Sequence, residues 1–188
     1  MIDMRKKNEG FTLVELMVTV TLLAFFGLVL AKTVGTSSWL AHYRLKGAAR
    51  DLASSLEKAR ANALKENREW GVAFDTGTNA YALQSSGVDR KMDTVADNTT
   101  PEGNVSLAAY KNGIKFGRGG VSTPPSMGTI GSDVTFPGNL VTFDGRGIPI
   151  FGQQGFCYLS NDEGAVYAVG VLPSGVVRVQ RWTGTTWK

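Results

Sequence analysis

An apolar run near the amino terminus constrains this chain more than any other feature. The run covers residues 11–31, and Glu15 is its only ionisable side chain. A helix rises about 1.5 Å per residue and the hydrocarbon core of a bilayer is about 30 Å thick, so about 20 apolar residues suffice to cross it. The run is therefore long enough to form a membrane-spanning helix.

The residues before the run indicate how that helix is oriented. Arg5, Lys6 and Lys7 lie within the ten residues that precede it. Positively charged flanks of membrane helices stay on the cytoplasmic side. We therefore expect the amino terminus in the cytoplasm and everything after residue 31 across the membrane.

The junction between the basic flank and the apolar run, Gly10-Phe11-Thr12-Leu13-Val14-Glu15, resembles the cleavage site of type IV prepilins. The resemblance implies that a prepilin peptidase cuts after Gly10 and methylates the new amino terminus at Phe11. It also implies that the helix is kept, first as a single-pass anchor in the inner membrane with the rest in the periplasm, and then in a filament. An ordinary secretory signal is instead cleaved after its apolar region. The competing interpretation is a signal-anchored protein whose leader is never removed.

Glu15 is a costly residue inside a membrane helix. A carboxylate costs about 2.5–3.5 kcal/mol at the helix centre and less near an end. Cleavage before Phe11 would create an α-amino group with an ordinary pKa of about 7.7–8.0, and Glu15 of a neighbouring subunit could pair with it and set the subunit register. Alternatively, Glu15 lies one turn inside the interface and reaches headgroup water.

A second helical pattern follows, from residue 32 to about residue 68. Apolar residues recur at three- and four-residue steps and charged residues fill the complementary positions, which predicts an amphipathic helix. We expect one long helix, loosened around residues 35–38, with Trp39, His42 and Tyr43 at the membrane surface. The apolar positions are Leu45, Ala49, Leu52, Leu56, Ala59 and Ala63.

The rest of the chain alternates short β-strand patterns with turn sequences. Trp70, Val72 and Phe74 alternate with small or polar residues, and the alternation resumes at Tyr81 after a turn, which predicts a β-hairpin. Residues 85–104 are polar without a sustained period and predict a loop. Further strands are predicted at residues 105–110, 114–116, 134–136, 140–143, 156–159, 165–172 and 176–182.

These patterns predict an α+β fold, because strands this short and closely spaced imply antiparallel pairing. The long N-terminal helix, transmembrane in its first half and amphipathic in its second, packs against one or two antiparallel β-sheets. The chain divides into a leader at residues 1–10, a transmembrane or filament-core segment at 11–31, and a globular domain at 32–188 that includes the second half of the helix.

Two later stretches narrow the resemblance. The sequence AARDLASSLEKARANA at residues 48–63 precedes a Trp-Gly-Val strand, and VTFDGRG at residues 141–147 precedes a closing GVVRV at 175–179. Together they are similar to the GspH/FimT family of minor pilins and pseudopilins. The resemblance implies a pilin-like fold and a low-abundance subunit, near the tip of a type IV pilus or of a type II secretion pseudopilus. Such a subunit primes or caps assembly with other pilin subunits.

DNA capture is the alternative function, because some members of the FimT branch are similar to receptors that take up DNA through C-terminal arginines. Arg178, Arg181 and Lys188 offer cations for phosphates, and Trp182 and Trp187 offer rings for stacking. However, residues three apart in a regular strand point to opposite faces unless a bulge intervenes. The Gly-Arg-x-Arg pattern associated with those receptors is also not reproduced.

The sequence offers little for catalysis, so the chain is not expected to be an enzyme or to hold a cofactor or metal. His42 is the only histidine, and no nucleophile is paired with a base. Asp162 and Glu163 could hold calcium, but carboxylates beside a glycine are common in turns. The net charge of +4 is too small to indicate a nucleic-acid partner by itself.

Cys157 is the only cysteine, so no intramolecular disulfide can form, although many pilins close a C-terminal loop with one. Its neighbours are Phe156 and Tyr158. An apolar setting of this kind favours a buried small residue over a reactive thiol. The glycine-containing segments at 117–120 and 144–147 are interpreted as turns, the first because no helix pattern follows it to form a phosphate-binding loop.

Overall fold

The computed structural model describes residues 11–35, 38–93, 97–125 and 130–188, with side chains for all of these except 31–35. The chain divides into two compact units, Met1–Leu40 and Ala41–Lys188. The cleavage residue Gly10 and the centre of the predicted loosening, residues 36 and 37, lie outside the described residues.

The first unit contains helix α1, Leu13–Gly35. Thr12 is its N-cap: the hydroxyl oxygen accepts a hydrogen bond from the Glu15 amide at 3.2 Å, and the carbonyl accepts one from the Leu16 amide at 3.1 Å. The hydroxyl of Thr19 donates to the Glu15 carbonyl at 2.9 Å, so a polar side chain is satisfied inside the helix. Within the described residues, only Leu13–Leu30 is long and apolar enough to cross a membrane.

Helix α2, Ser38–Glu66, confirms the amphipathic pattern. It ends because Asn67 adopts a φ of +47°, a left-handed conformation that asparagine tolerates at helix ends. The sequence therefore placed the end of the helix within about two residues. Every apolar position that the pattern predicted is buried, together with two further alanines: the buried set is Ala41, Leu45, Ala48, Ala49, Leu52, Leu56, Ala59 and Ala63.

The described part of the second unit contains two four-stranded antiparallel sheets. The first has the order β3-β2-β1-β5 and the second the order β4-β6-β7-β8. The predicted hairpin is β1 paired with β2, and its turn is fixed because the Asp75 carboxylate accepts hydrogen bonds from the amides of Gly77 and Thr78. The strands are β1 Trp70–Asp75, β2 Ala80–Ser85, β3 Asn104–Ser106, β4 Lys115–Phe116, β5 Leu140–Phe143, β6 Gly155–Ser160, β7 Val166–Val171 and β8 Val177–Arg181.

One main core lies between the buried face of α2 and both sheets. It takes side chains from α2 and from β1, β2, β5, β6 and β7, with Val72, Val141 and Leu159 among those fully buried. A smaller cluster of Phe156, Tyr158 and Ala168 occupies the opposite face of the second sheet. The α+β fold class is therefore confirmed.

Two predicted strands were wrong in detail. The strand expected at 105–110 is only β3, because Leu107 turns into the core and begins a 3₁₀ helix, with its amide donating to the Asn79 carbonyl at 2.9 Å. The segment 134–136 forms a single bridge, Val134 to Cys157, instead of a strand. Pro137 follows at once and cannot donate a ladder hydrogen bond, so a 3₁₀ turn begins there.

Candidate functional site

The start of α1 holds the residues that the sequence assigned to processing and assembly. Phe11 precedes the helix and is 78% exposed, and Glu15 is exposed in the first turn. Its backbone amide is engaged by the Thr12 cap. Among the described residues, no salt bridge or side-chain hydrogen bond involves its carboxylate.

The Thr12 cap is a feature that the sequence analysis missed, although the signal was present. Thr12 and Glu15 are spaced as a threonine N-cap and a glutamate at the third helical position, which is the capping-box spacing. A negative charge in the first turn also interacts favourably with the positive end of the helix dipole, by about 0.3–1 kcal/mol at exposed sites. The observed stabilising contact at the helix start is the hydrogen bond from the Glu15 amide to the Thr12 hydroxyl.

The remainder of α1 presents apolar side chains on every side. All side chains described in it are exposed, including Leu16, Leu23 and Phe25. A helix that is hydrophobic all round belongs in a membrane or in the interior of a larger assembly.

The C-terminal basic residues lie in and beyond β8. The register pairs Arg178 with Gly170 and Arg181 with Tyr167 without a bulge. Arg178 and Arg181 therefore lie on opposite faces of the sheet, as the sequence analysis expected for a regular strand. Lys188 folds back beside Arg181: its amide donates to the Arg181 carbonyl at 3.0 Å and its carbonyl accepts from the Arg181 amide at 2.6 Å.

The two C-terminal tryptophans are part of the folded structure. The rings of Trp182 and Trp187 lie 5.3 Å apart, and Trp187 packs on Tyr158 at 5.9 Å. The Trp187 indole N–H donates to the Thr123 carbonyl at 2.8 Å. Trp187 packs against the small second cluster and Trp182 contacts the Trp187 ring. DNA capture through this segment stays a prediction.

The structure brings Arg181 to the N-terminal half of α2, which the sequence analysis did not foresee. The hydroxyl of Tyr167, which is paired with Arg181, lies 3.5 Å from Nε2 of His42. Burial, with the nearby charges of Arg181 and Lys46, lowers the pKa of His42. Burial raises the pKa of Tyr167, and the charges of Arg181 and Arg50 oppose that rise.

The same cluster contains a pattern that could have been read from the sequence. His42, Lys46 and Arg50 are four residues apart and so follow one line along α2. The contact of this part of α2 with β7, through His42 and Tyr167, depends on tertiary packing. His42, which the sequence placed at the membrane surface, is half-buried beside Tyr167.

Cys157 is fully buried in β6, and burial raises the pKa of its thiol, which confirms the interpretation as a small core residue.

The Asp162 and Glu163 segment is a turn, in which Asn161 Oδ1 accepts a hydrogen bond from the Ala165 amide at 3.0 Å. No group of three or more potential metal-ligating side chains occurs in the described parts of the chain.

The glycine-containing segment at 117–120 lines an open cavity of about 790 Å³. Arg118 and Asp133 form an ion pair at 3.2 Å beside it, and both side chains are partly exposed. No helix begins at residues 121–125, the described residues that follow the segment directly, so the helix N-terminus of a phosphate-binding loop is not found there.

Comparison with known proteins gives two sequence-family matches. Residues 48–175 match the family described as type II transport protein GspH, and residues 5–31 match the prokaryotic N-terminal methylation motif. The first match spans more than half of the chain. No match was found among the curated proteins.

Two solved structures are similar in fold. The type IV minor pilin FimU of Pseudomonas aeruginosa is 11% identical, with a TM-score of 0.46, over 80% of this chain and 96% of that protein. The minor pseudopilin EpsH from the type 2 secretion system of Vibrio cholerae is 14% identical, with a TM-score of 0.41, over 72% of this chain and 95% of that protein.

Proposed function

This chain belongs to the GspH family of type II transport proteins, and from that premise we propose that it is a minor pilin or pseudopilin. In this proposal a prepilin peptidase cleaves after Gly10 and methylates Phe11. The subunit then waits in the inner membrane with its globular unit in the periplasm. It enters a type IV pilus or a type II secretion pseudopilus, where it primes or caps the filament.

One observation carries the proposal: α1 is apolar on every side, and the N-terminal methylation motif lies directly on it. The motif match covers residues 5–31. The helix residues Leu13–Leu30 have a mean hydropathy of 2.4, and none of them is buried. A helix of this kind needs either lipid or other helices around it. The retained anchor of a filament subunit meets both environments in turn.

Assembly replaces lipid contacts with contacts to neighbouring helices. Lipid tails are as apolar as leucine side chains, so that exchange gains little hydrophobic free energy, and close packing together with polar pairing must supply the specificity. Gly27 leaves open space for close approach, since a Cβ at that position would meet no atom within 4 Å among the described residues beyond the adjoining turns of its own helix. Glu15 supplies a carboxylate for the methylated amino terminus of an adjacent subunit.

The proposal is tested with the full chain in cells that assemble the filament, with and without the prepilin peptidase. Mass spectrometry of the wild-type protein is expected to find a mature chain that begins with methylated Phe11 only where the peptidase is present. The Gly10→Val variant is expected to keep Met1 and its leader. An intact leader on the wild-type protein in the presence of the peptidase would overturn the processing step.

Assembly is tested separately through Glu15. The Glu15→Gln variant should be processed and yet be depleted from purified filaments, because it lacks the charge for pairing. Glu57→Gln, which neutralises an exposed carboxylate on α2, is the matched control and should incorporate normally. If Glu15→Gln is processed and incorporated at the wild-type level, the pairing between subunits is wrong.

A further inference from the structure

The outer edge of β8 carries backbone groups that the fold leaves unpaired. The Trp182 amide donates to the Val166 carbonyl at 3.0 Å, and the Leu172 amide donates to the Val176 carbonyl at 3.0 Å. In an antiparallel ladder these bonds recur at alternate residues, so even-numbered residues of β8 bond to β7 and odd-numbered residues point away from it. The amide and carbonyl of Val177 and Val179 therefore face outward.

In the described part of the chain, the outer edge of β8 is paired at its C-terminal end, at Arg181. The outward groups of Arg181 bond to Lys188, as described above. Within residues 11–35, 38–93, 97–125 and 130–188, no hydrogen bond reaches the outward groups of Val177 or Val179. An open strand edge is a template for pairing with another chain.

The corresponding edge of the first sheet is closed by the chain itself. On β5, the Thr142 amide donates to Oε1 of Gln153 at 2.7 Å, and the Thr142 carbonyl accepts from the Ile150 amide at 2.9 Å. Natural proteins commonly protect sheet edges in such ways, since exposed edges invite association. The open edge of β8 is therefore a difference between the two sheets.

Positive charge flanks the open edge on the side that faces α2. Paired residues of two strands point to the same face, so Val177, Val179 and Arg181 share the face of Tyr167 and Val169, which lie in the core under α2. Lys46 and Arg50 follow His42 along α2 at four-residue steps, and the His42 ring lies 5.9 Å from the ring of Tyr167 on that face.

The cations beside this edge are not neutralised by the chain itself. Lys46, Arg50 and Arg181 are exposed, and no salt bridge in the described parts of the chain joins any of them to an acid. Val179 lies on the same face of the sheet as Arg181, and 37% of its surface is exposed. We call this surface, made of the backbone of Val177 and Val179 and these three cations, the basic edge.

We propose that the basic edge binds an extended, acidic segment of another filament subunit, which adds to β8 as a further strand. Main-chain hydrogen bonds to Val177 and Val179 give the affinity. Carboxylates at alternate positions of the segment face Lys46, Arg50 and Arg181, because alternate side chains of a strand point to one face. That the partner is a filament subunit rests on the proposed function. The pairing of an extended acidic segment with the edge of β8 does not depend on it.

The binding test uses the full chain in neutral detergent micelles and a labelled short peptide of alternating threonine and glutamate. The peptide should bind at low salt, and hydrogen exchange should show new protection at the amides of Val177 and Val179. A peptide of alternating threonine and lysine should not bind. If the acidic peptide does not bind, or binds without protecting those two amides, the proposal is wrong.

Two variants separate the backbone contribution from the charges. Val179→Pro removes an outward N–H that the β7–β8 ladder does not use, so the fold should persist and peptide binding should be lost. Lys46→Glu and Arg181→Glu should each weaken binding about threefold to tenfold. Lys65→Glu, an exposed lysine in the last turn of the same helix, is the matched control and should leave affinity unchanged.

Duplex DNA could also bind a basic surface, so the experiment includes a second binding measurement with a DNA duplex. Binding of a duplex whose affinity falls steeply with salt, without binding of the acidic peptide, would identify a nucleic-acid surface and overturn the proposal. If Val179→Pro fails to fold by circular dichroism, the combined Lys46→Glu and Arg181→Glu variant decides the charge contribution alone.

A final experiment tests in cells whether the partner is a filament subunit. The combined Lys46→Glu and Arg181→Glu variant should be processed at Gly10 like the wild type but be depleted from filaments. If it is processed and incorporated normally, the partner is not a filament subunit, while the processing and Glu15 steps stand. If the wild type itself keeps its leader, the proposed function fails first and the peptide test still stands.

Discussion

The two helices of this chain are of similar length and differ in where their surroundings come from. Helix α1 exposes apolar side chains on every side, whereas α2 buries one face of eight residues and exposes charged residues elsewhere. The sheets that cover α2 belong to the same chain. The described side chains of α1 are all exposed, as expected of an apolar helix that inserts into a membrane.

The hydrogen bonds of polar side chains also differ between the two helices. In α1 the Thr21 hydroxyl donates to the Met17 carbonyl at 2.7 Å, one turn earlier in the same helix. In α2 polar groups bind distant parts of the chain: Nε of Arg60 donates to the Gly147 carbonyl at 3.0 Å, and the Tyr110 hydroxyl donates to the Asp51 carboxylate at 2.6 Å. These contacts join α2 to distant parts of its own globular unit.

The sharpest test of this comparison truncates one leucine in each helix. Leu52 of α2 is fully buried, so Leu52→Ala should lower the free energy of unfolding by about 2–5 kcal/mol. Leu23 of α1 is 71% exposed, so Leu23→Ala should change the unfolding of the globular unit by less than about 0.5 kcal/mol. Urea unfolding of the full chain in detergent, followed by tryptophan fluorescence, measures both values.

Leu64→Ala is the control within α2, because Leu64 is 50% exposed and leaves a smaller cavity when truncated. Its effect should fall well below that of Leu52→Ala. Equal losses from Leu23→Ala and Leu52→Ala would mean that α1 contributes to the same folded core, and the contrast between the helices would be lost.

A second pair of variants adds one methyl group in each region. In β7, a Cβ on Gly170 would overlap the ring of Phe156 and lie 2.7 Å from the Gly155 carbonyl oxygen, so Gly170→Ala should destabilise the globular unit by about 1–3 kcal/mol. In α1, the methyl group of Gly27→Ala would meet no described residue beyond the adjoining turns of its own helix, and the substitution should raise local helix stability by about 0.8–1 kcal/mol. Thermal unfolding and helix content by circular dichroism report the two effects.

Incorporation into filaments is a second measurement for these glycine variants. Gly27→Ala should reduce incorporation if neighbouring helices pack closely at that position, although it leaves the isolated chain intact. Gly131→Ala, where a Cβ also meets open space, is the control in the globular unit and should be neutral in both assays. A stable Gly170→Ala variant would show that β6 and β7 can separate locally, contrary to the packing described here.

The smallest expected effect concerns pH and belongs to the globular unit alone. Burial by itself would raise the pKa of Asp144, but hydrogen bonds from the Arg146 side chain and from the amides of Arg146 and Ile148 outweigh it and hold the pKa below its usual value of 3.8. A depressed pKa in the folded state stabilises the protein above the unfolded-state pKa, and that stabilisation is lost as pH falls through the folded-state pKa.

We therefore expect Asp144→Asn to be less stable than the wild type near neutral pH, with the difference shrinking below about pH 3.8. Urea midpoints measured across that pH range give the comparison. The helix content of α1 in detergent should not follow this titration, and a difference that stays constant with pH would show that the Asp144 charge does not stabilise the turn.

The sequence by itself determined the elements whose cause is local. The apolar run, the buried positions of α2 and the hairpin of β1 and β2 follow from periodicity and turn residues, and the opposite faces of Arg178 and Arg181 follow from strand alternation. The Thr12 cap was also readable from its spacing to Glu15. Each of these depends on residues close together along the chain, where geometry is set by a few backbone angles.

Only the tertiary structure decided which distant residues meet. The sequence did not place Arg181 beside Tyr167 and His42, close one sheet edge with Gln153, leave the edge at Val179 open, or turn Leu107 into the core. These outcomes depend on how two sheets share one helix face, and many arrangements satisfy the same alternation of apolar and polar residues. Packing selects one of them because a close-packed core allows few ways to fill the same volume.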